Sequence, residues 1–517
     1  MRTKKIQLYT AALFLSLLSV SCNDYLDTTP SKGENEELHS KEQVEALFNN
    51  SDLINTPVAL AVAESDDQGM STDIYDQLGY LENGMMNGLS FNITDVEEEI
   101  YGDPVWEREY NKIFTANLVI NKIDDVEDAT DEERSEYLAQ AHFVRAVALW
   151  NLVQTYCMPY SSQTADGLGL PLMQENSWEE DATRATLQET YDFILSDLRA
   201  ARQSPRTDVT DRWWVSQPAV DAMLARFFLF TCQYDSAETY AEQALESTQA
   251  TLEDYNEYEK TVSSVMNPLT GESEEIDYAQ TYQYSPNELM NYPENYYSQY
   301  FQVQSGYYLI PSDDLMALYD QDNDLRYDQF FTKKDLWNLY VSGIGDDIMY
   351  LKFIDSYGES MLQSGPTVPE MLLTAAEAKA RQGDISGAME TVNKLRAARM
   401  RSGSDSVSLE ASTQQEAIEA ILDERHREMP FVMRWWDIRR LAFNESTFDD
   451  VTVNHTFYGV ESNIVDDSQI YTYMLPVQSS RYAQPIVNTE LKHSNNQIVQ
   501  NVYDDNAVVV TELQEEE

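Results

Sequence analysis

Carboxylates are the most abundant groups in this chain that could carry out chemistry. Its 517 residues include 90 Asp and Glu against 34 Lys and Arg, which gives a formal net charge of −56. Two carboxylates can serve a glycosidase as acid and as nucleophile or base. The acidic residues are spread along the chain, however, so a suitable pair arises by chance and indicates no particular active site. The same charge repels phosphate backbones, which excludes nucleic acid as a partner.

Histidines and catalytic motifs give no stronger signal. The five histidines, at positions 39, 142, 426, 455 and 493, do not show the spacing of metal ligands. His142 falls on a predicted helix and His426 among charged residues, which favours structural or solvated roles. The sequence contains no nucleophile elbow, phosphate-binding loop or dinucleotide fingerprint. We therefore expect no enzymatic activity, no metal site and no cofactor.

A tyrosine-rich segment is the better candidate for ligand binding. Tyr and Asn are dense between Tyr278 and Tyr308. A sugar ring presents a CH-rich face that stacks on an aromatic ring, and its hydroxyls need Asp, Asn, Gln or Arg within hydrogen-bonding distance. This composition therefore suits a glycan. For any single tyrosine, burial against the rest of the protein is an equally good interpretation.

The elements that must position these residues are predicted to be mostly helical. Apolar residues recur at helical spacing, and Ser40 with Gln43 forms a capping box before the first helix. The predicted helices cover 41–48, 106–126, 132–156, 187–201 and 416–441, the last in two parts around Pro430. The composition of the chain predicts a long loop over 64–104. It also predicts a loop-rich region with short strands over 255–365. Beyond Asp449 the chain is predicted to be polar and extended.

Two segments, 219–245 and 371–395, resemble each other, and each predicts a helix, a tight turn and a second helix. Aligning Cys232 with Gly383 also aligns alanines at the points where the two helices meet. Small residues there let helices approach closely, as in the tetratricopeptide repeat. One such unit cannot bury its apolar face alone. The two units are therefore predicted to stack, with a large insertion between them.

The N-terminus resembles a bacterial lipoprotein signal. Basic residues at positions 2, 4 and 5 precede an apolar stretch, 8–20, that is too short to span a bilayer. Cys22 follows at once, and in such a signal the Cys becomes the acylated first residue of the mature protein. The alternative is ordinary secretion with Cys22 unmodified. Cys157 and Cys232 are too few for a disulfide framework, and we expect both to be buried and unreactive.

A series of motifs resembles the SusD/RagB family of outer-membrane nutrient-binding lipoproteins along nearly the whole chain. The matching stretches, in order, are CNDYLD (22–27), WEREYNKIFTAN (106–117), the Ala-rich helix around Arg145, GLP (169–171), YDFILSDL (191–198), IPSDDL (310–315), DLR (324–326), ILDERHREMPFVMRWWDIRRL (421–441) and LP (475–476). In the longest motif the helical spacing of charged residues and tryptophans favours ion pairs and cation–aromatic packing inside the scaffold. The charged residues concerned are Glu424, Arg425, Arg439 and Arg440.

The resemblance implies a mostly α fold: a tetratricopeptide-like helical-hairpin scaffold with a loop-rich irregular subdomain inserted between repeats. The chain is predicted to divide into a signal peptide, a tether, an N-terminal helical region, a ligand-binding insertion and a C-terminal region with the last hairpin. The corresponding ranges are 1–21, 22–40, 41–254, 255–365 and 366–517.

The resemblance also implies a function. It indicates a non-catalytic lipoprotein on the outer surface of the outer membrane, which captures an oligosaccharide and delivers it to a SusC-like TonB-dependent transporter. An oligopeptide cargo is the alternative within the family; an enzyme and a scaffold that binds only protein are broader alternatives. In the family, ligand contacts come from variable loops. The residues in the corresponding segments, and our predicted ligand contacts, are Asp66, Asp73, Tyr75, Tyr292, Tyr296, Tyr297 and Trp337.

Overall fold

Helices form most of the regular structure of this protein. The computed structural model describes residues 38–58, 60–78, 82–93, 104–177, 180–258, 261–266, 273–278, 286–303, 309–332, 348–354, 360–461, 464–504 and 508–513. The helices are α1 (Lys41–Phe48), α2 (Leu60–Glu64), α3 (Thr72–Gln77), α4 (Glu82–Leu89), α5 (Pro104–Lys122), α6 (Asp131–Tyr156), α7 (Leu187–Ala201), α8 (Gln217–Phe230), α9 (Tyr234–Leu245), α10 (Pro286–Met290), α11 (Asp313–Ala317), α12 (Leu325–Phe330), α13 (Val368–Arg381), α14 (Ile385–Arg399), α15 (Gln414–Glu428), α16 (Val432–Leu441) and α17 (Asn488–His493).

The strands are short and belong to several small sheets. They are β1 (Asn55–Val58), β2 (Leu168–Pro171), β3 (Arg184–Thr186), β4 (Thr261–Met266), β5 (Ser273–Tyr278), β6 (Tyr300–Val303), β7 (Phe331–Thr332), β8 (Met349–Tyr350), β9 (Phe353–Ile354), β10 (Ser360–Gln363), β11 (Val453–Glu461), β12 (Ile464–Leu475) and β13 (Val509–Leu513). Two sheets have more than two strands, in the orders β1-β6-β10-β9 and β11-β12-β13.

Local sequence signals explain where several long helices begin. Ser40, Thr130, Thr186 and Thr413 each form a capping box with the Glu or Gln three residues later, at the starts of α1, α6, α7 and α15. A capping box satisfies backbone N–H groups that have no partner within the helix. The five helical segments predicted from the sequence are confirmed, and the last is divided at Pro430 as expected.

The two similar segments form helical hairpins, α8–α9 and α13–α14, with the same turn. Gln233 N donates to Phe228 O at 2.8 Å, and Asp384 N donates to Lys379 O at 2.9 Å. Cys232 (φ 57°) and Gly383 (φ 90°) occupy the same left-handed position of this Schellman turn. Their predicted alignment is confirmed. The prediction that Cys232 is buried is wrong, because the turn exposes its side chain, whereas Cys157 is buried as expected.

These hairpins are neighbours in space although the insertion separates them in sequence. α9 packs against α13, which also contacts α15. Arg226 on α8 forms a buried ion pair with Glu370 on α13 at 2.6 Å, and Lys379 pairs with Glu242 at 2.6 Å. The predicted mostly α, tetratricopeptide-like scaffold with an inserted irregular subdomain is therefore confirmed.

The insertion is attached to the N-terminal region through a mixed sheet. β6 pairs in parallel with β1, where Asn55 lies opposite Tyr300, and β10 pairs antiparallel with β6. The predicted long loop over 64–104 is wrong in part, since it contains α3 and α4. Gly88 on α4 approaches Ala63 on α2 so closely that an added Cβ would lie 2.3 Å from the Ala63 Cβ. These short helices depend on such tertiary packing, and they lack the long periodic pattern that sequence reasoning needs.

The C-terminal region contains the antiparallel sheet β11-β12-β13, which agrees with the predicted extended chain after Asp449. The prediction is wrong for 488–493, which form α17. In the part of the chain that the structure describes, no helix is both long and apolar enough to cross a bilayer.

Candidate functional site

Four of the predicted ligand contacts are tyrosines that the structure buries. Tyr75, Tyr292 and Tyr296 are 0% exposed and Tyr297 is 2% exposed. The ring contacts with protein neighbours are Tyr75–Phe457 at 5.4 Å, Tyr292–Phe353 at 5.1 Å and Tyr297–Phe143 at 4.8 Å. A sugar can stack on a ring only where one face is open. These four rings have no open face in this structure, which favours the alternative of burial against the scaffold, and ligand contact by them stays a prediction.

Residue type and spacing could not separate these tyrosines from exposed ones. Tyr292 belongs to a small apolar cluster within the insertion, while Tyr296 and Tyr297 belong to the main core. The segment around them has no clear period of 2 or 3.6, so its buried face cannot be read from spacing. Trp337 and Cys22 lie outside the described residues, and their roles stay predictions.

Asp73 and Asp66 are the two predicted contacts that keep access to solvent. Asp73 is exposed in the first turn of α3, where Ser71 accepts a hydrogen bond from Ile74 N at 3.2 Å. The Asp66 side chain is 21% exposed. Its carboxylate accepts two hydrogen bonds from Arg434, from Nε at 3.1 Å and Nη2 at 2.9 Å. Burial raises the pKa of Asp66, but the charge of Arg434 outweighs it and the pKa is lowered overall.

Asp67 joins the loop after α2 to two distant parts of the chain. Its carboxylate accepts from Phe431 N at 2.6 Å and contacts Nε2 of His426 at 2.5 Å. Its carbonyl accepts from Ser312 N at 2.7 Å. Phe431 has φ 62° and precedes α16, so Asp67 satisfies a backbone N–H at a strained helix start. Sequence reasoning missed this junction because its members are far apart in the chain.

A second buried histidine lies beside this loop. His455 on β11 is 5% exposed, and its imidazole is hydrogen-bonded to the backbone of Glu64. Its Nε2 has no hydrogen-bond partner among the residues that the structure describes. Burial lowers the pKa of His455 to about 4, so the ring is neutral at pH 7. Burial also raises the pKa of Glu64 to about 7, against a hydrogen bond from Gln484.

The charged residues of the longest sequence motif are structural, as the spacing indicated. Glu424 is 0% exposed, and its carboxylate pairs with Arg326 (2.8 Å), Arg396 (2.5 Å) and Arg427 (3.1 Å). Burial raises the pKa of Glu424, but these three guanidinium groups outweigh it and lower the pKa to about 2. Arg326 belongs to the insertion, so this network connects the insertion to α15.

The other arginines of the motif connect α16 to its neighbours. Arg425 donates to Asp437 at 2.6 Å, and Arg440 pairs with Glu377 on α13 at 2.7 Å. Arg439 donates to backbone carbonyls of Gln154, Cys157 and Tyr482. Arg439 and Arg440 are therefore buried and hydrogen-bonded to other protein groups. Arg425 is hydrogen-bonded through Nε, while its Nη1 and Nη2 have no hydrogen-bond partner among the described residues.

A small cleft adjoins the same network. Lys352 and Glu428 line it together with Gln363 and Thr367. The ammonium of Lys352 is 3.9 Å from Glu428 and 3.4 Å from Gln363, and it lies 4.6 Å from the centre of the Phe330 ring. Burial lowers the pKa of Lys352 although Glu428 opposes it. The positive charge of Lys352 and the negative charge of Glu428 thus offset each other in this cleft.

The fold and these buried networks define a class of protein: a tetratricopeptide-like helical scaffold that carries an irregular insertion. Comparison with protein families gives the class more closely. Residues 24–229 match a SusD-like family described as "Starch-binding associating with outer membrane", and residues 348–503 match the SusD family, SusD_RagB. The chain belongs to the SusD/RagB family, as its motifs indicated.

Individual relatives agree with this assignment. The SusD-like protein P38 of Formosa agariphila is 24% identical over 375 residues, which cover 65% of this chain and 71% of that protein. A crystal structure of a SusD-like carbohydrate binding protein from Bacteroides vulgatus has a TM-score of 0.59 at 16% identity, covering 89% of this chain and 97% of that one. A SusD superfamily protein from Bacteroides fragilis gives a TM-score of 0.62 at 19% identity, with coverages of 89% and 99%.

Proposed function

We propose that this protein is a non-catalytic carbohydrate-binding lipoprotein that delivers an oligosaccharide to a partner SusC-like TonB-dependent transporter in the outer membrane. The observation that carries the proposal is the match of both ends of the chain to SusD-family models, one of them described as starch-binding and associated with the outer membrane. The SusD-like relative from Bacteroides vulgatus, described as carbohydrate binding, supports the same ligand class.

Asp73 and the Asp66–Arg434 pair are the polar groups that we assign to the ligand surface. A carboxylate and a guanidinium together offer acceptors and donors to neighbouring sugar hydroxyls. Asp73 is exposed and the Asp66 side chain is 21% exposed; both aspartates lie on the segment that follows α2, whereas Arg434 lies on α16. The net charge of −56 disfavours polyanionic ligands, so the proposed ligand is a neutral oligosaccharide.

Calorimetric titration tests the ligand class. We expect the purified protein to bind members of a panel of neutral oligosaccharides that begins with starch fragments. Asp73→Ala should weaken binding several-fold, because it removes an exposed acceptor. Asp235→Ala is the matched control, since Asp235 is also an exposed aspartate in the first turn of a helix, α9. Failure to bind any oligosaccharide, together with binding of peptides from a protein digest, would replace the proposed cargo with oligopeptides.

The anchor and the transporter are separate parts of the proposal. If Cys22 is acylated, the protein should incorporate a fatty-acid analogue in growing cells. Cys22→Ala should abolish this incorporation, and Cys232→Ala should leave it intact. A tagged chain expressed in its native cells should co-purify with a TonB-dependent transporter. Recovery without any transporter after cross-linking would argue against the delivery role and leave carbohydrate binding to be judged by titration.

The division of the chain stays part of this proposal. We assign 1–21 to the signal peptide, 22–40 to the tether, 41–254 and 366–517 to the helical scaffold, and 255–365 to the ligand-binding insertion. The insertion lies between α9 and α13.

A further inference from the structure

We propose that the outer edge of β13 binds an extended segment of a partner protein by strand addition, and that this segment is apolar in its centre and basic at its ends. β13 is the last strand of the sheet β11-β12-β13. It pairs with β12 from Val509, opposite Met474, to Leu513, opposite Ile470. No strand among the described residues pairs with its other side. The proposal goes beyond oligosaccharide binding and does not depend on it.

The first observation is the exposure of apolar side chains on this strand. Val509, Val510 and Leu513 are 42%, 55% and 45% exposed. In the part of the chain that the structure describes, eight large hydrophobic side chains are exposed, and six of them lie between Ile464 and Leu513. The exposed apolar area is therefore concentrated in one region, and such a concentration marks an interaction surface.

The second observation is that this edge lacks the usual protection against pairing. An edge strand offers a row of backbone N–H and C=O groups, and proteins commonly block it with Lys, Pro or a β-bulge. β13 contains no Lys, Arg or Pro, it pairs with β12 without a register shift, and all five of its residues are exposed. An added strand would bond the outward-pointing backbone groups and cover part of Val509 and Leu513.

The face of the sheet that carries Val509 and Leu513 has no charged residue. Residues directly opposite each other in an antiparallel sheet share a face. Thr472 lies opposite both Thr456 and Thr511, and the hydroxyl oxygens of Thr456 and Thr472 are 3.1 Å apart. The residues at alternate positions beside this row of threonines are also uncharged, and none of them is buried. An apolar segment beside β13 therefore meets no charge on this face.

The charges around this face decide the chemistry of the occupant. The three strands of the sheet contain no Lys or Arg. Glu512 is exposed on β13, and Asp467 is exposed in the irregular stretch of β12 just before Ile470, which lies opposite Leu513. These carboxylates attract basic residues at the end of an added strand. The net charge of −56 disfavours a second copy of this chain and an anionic lipid surface.

Fluorescence anisotropy of a labelled peptide with the purified protein tests the edge. The probe is Lys-Lys-Val-Thr-Val-Thr-Val-Lys-Lys, and its lysines at both ends let it pair in either direction. We expect saturable binding at one site. The peptide with Glu in place of every Lys should bind at least tenfold more weakly. Placing Pro-Pro at the fourth and fifth positions of the probe should also weaken binding at least tenfold, because adjacent prolines remove donors from both edges of the peptide strand.

A matched pair of variants locates the binding. Val510→Asp should weaken binding of the probe at least tenfold, because it puts a charge opposite the apolar centre of the peptide. Val502→Asp is the control, since Val502 is 83% exposed and lies outside the sheet; the affinity should change less than threefold. Both variants add the same negative charge, so general attraction of the lysines cannot produce the difference. Hydrogen exchange should show that the probe protects the backbone amides of 509–513 and not those of 499–504.

Each other result overturns a stated part of the proposal. Absence of saturable probe binding overturns all of it. Equal affinity for the Glu-flanked peptide overturns the basic partner, and equal affinity for the Pro-Pro peptide or no protection of 509–513 overturns strand addition. A dimer in sedimentation, or flotation with phosphatidylglycerol vesicles, that Val510→Asp abolishes would assign the edge to a second copy or to lipid instead. Should Val510→Asp detach β13, hydrogen exchange of the unsubstituted protein with the probe decides. Calorimetry should show unchanged oligosaccharide affinity in Val510→Asp, so this proposal and the proposed function can fail separately.

Discussion

Replacing Glu424 with Gln tests whether the buried ion network holds the insertion on the scaffold. The substitution keeps the shape of the side chain and removes the charge that Arg326, Arg396 and Arg427 share. The pKa of about 2, against an ordinary value of 4.5, corresponds to about 3 kcal/mol of preference for the charged form in the folded state. Breaking a buried pair by removing one partner costs about 3–5 kcal/mol. We therefore expect Glu424→Gln to lower the free energy of unfolding by about 3–5 kcal/mol at pH 7.

The pH dependence follows from the direction of the shift. The folded-state pKa of Glu424 lies below the unfolded value, so its contribution is complete above about pH 5 and is lost as the pH falls toward 2. The difference between the variant and the parent should therefore be constant from pH 6 to pH 8 and shrink below about pH 4.5.

Urea unfolding followed by tryptophan fluorescence measures this difference. Glu419→Gln on the same helix is the matched control, since Glu419 is exposed and accepts a hydrogen bond from its neighbour Gln415 on the helix surface. This control substitution should lower the free energy of unfolding by less than about 0.5 kcal/mol. The reasoning is refuted if Glu424→Gln lowers the free energy of unfolding no more than Glu419→Gln does. That result would mean that the cost of desolvating Glu424 cancels its attraction to the three arginines. If the expected loss of 3–5 kcal/mol is found, about as large as for other broken buried pairs, the double variant Glu424→Gln/Arg396→Met should recover part of it, since it also removes an unpaired cation.

Three further predictions concern the backbone and the core. Cys232→Gly should stabilise the protein by about 0.5–1 kcal/mol in urea unfolding, because φ is 57° there and Gly relieves left-handed strain; Cys232→Ser keeps the Cβ and should change little. Gly365→Ala should cost about 3 kcal/mol in the same assay, since the new Cβ would lie 2.0 Å from the Tyr297 carbonyl oxygen; an unchanged midpoint would contradict that contact. Tyr297→Phe should leave oligosaccharide affinity unchanged in calorimetry, because the ring is 2% exposed; a loss above tenfold in a folded variant would return this residue to the ligand surface.

Local sequence signals were sufficient to predict the helical scaffold. Capping boxes, apolar periodicity and small residues at helix contacts act within a few residues of each other, so the long helices and both hairpin turns could be predicted. The alignment of Cys232 with Gly383 placed both tight turns correctly, and the structure shows that both residues have positive φ. The short helices α3 and α4 could not be predicted in this way, since contacts such as Gly88 with Ala63 come from packing.

The sequence by itself determined the family, the helical scaffold and the structural character of the charged motif around Glu424. Only the tertiary structure decided which tyrosines are buried and which polar groups meet. Tyrosine is amphipathic, so its type does not reveal whether its ring lies in the core or at the surface. Asp67 and His426 are distant in the chain, and only folding brings this carboxylate and imidazole into contact.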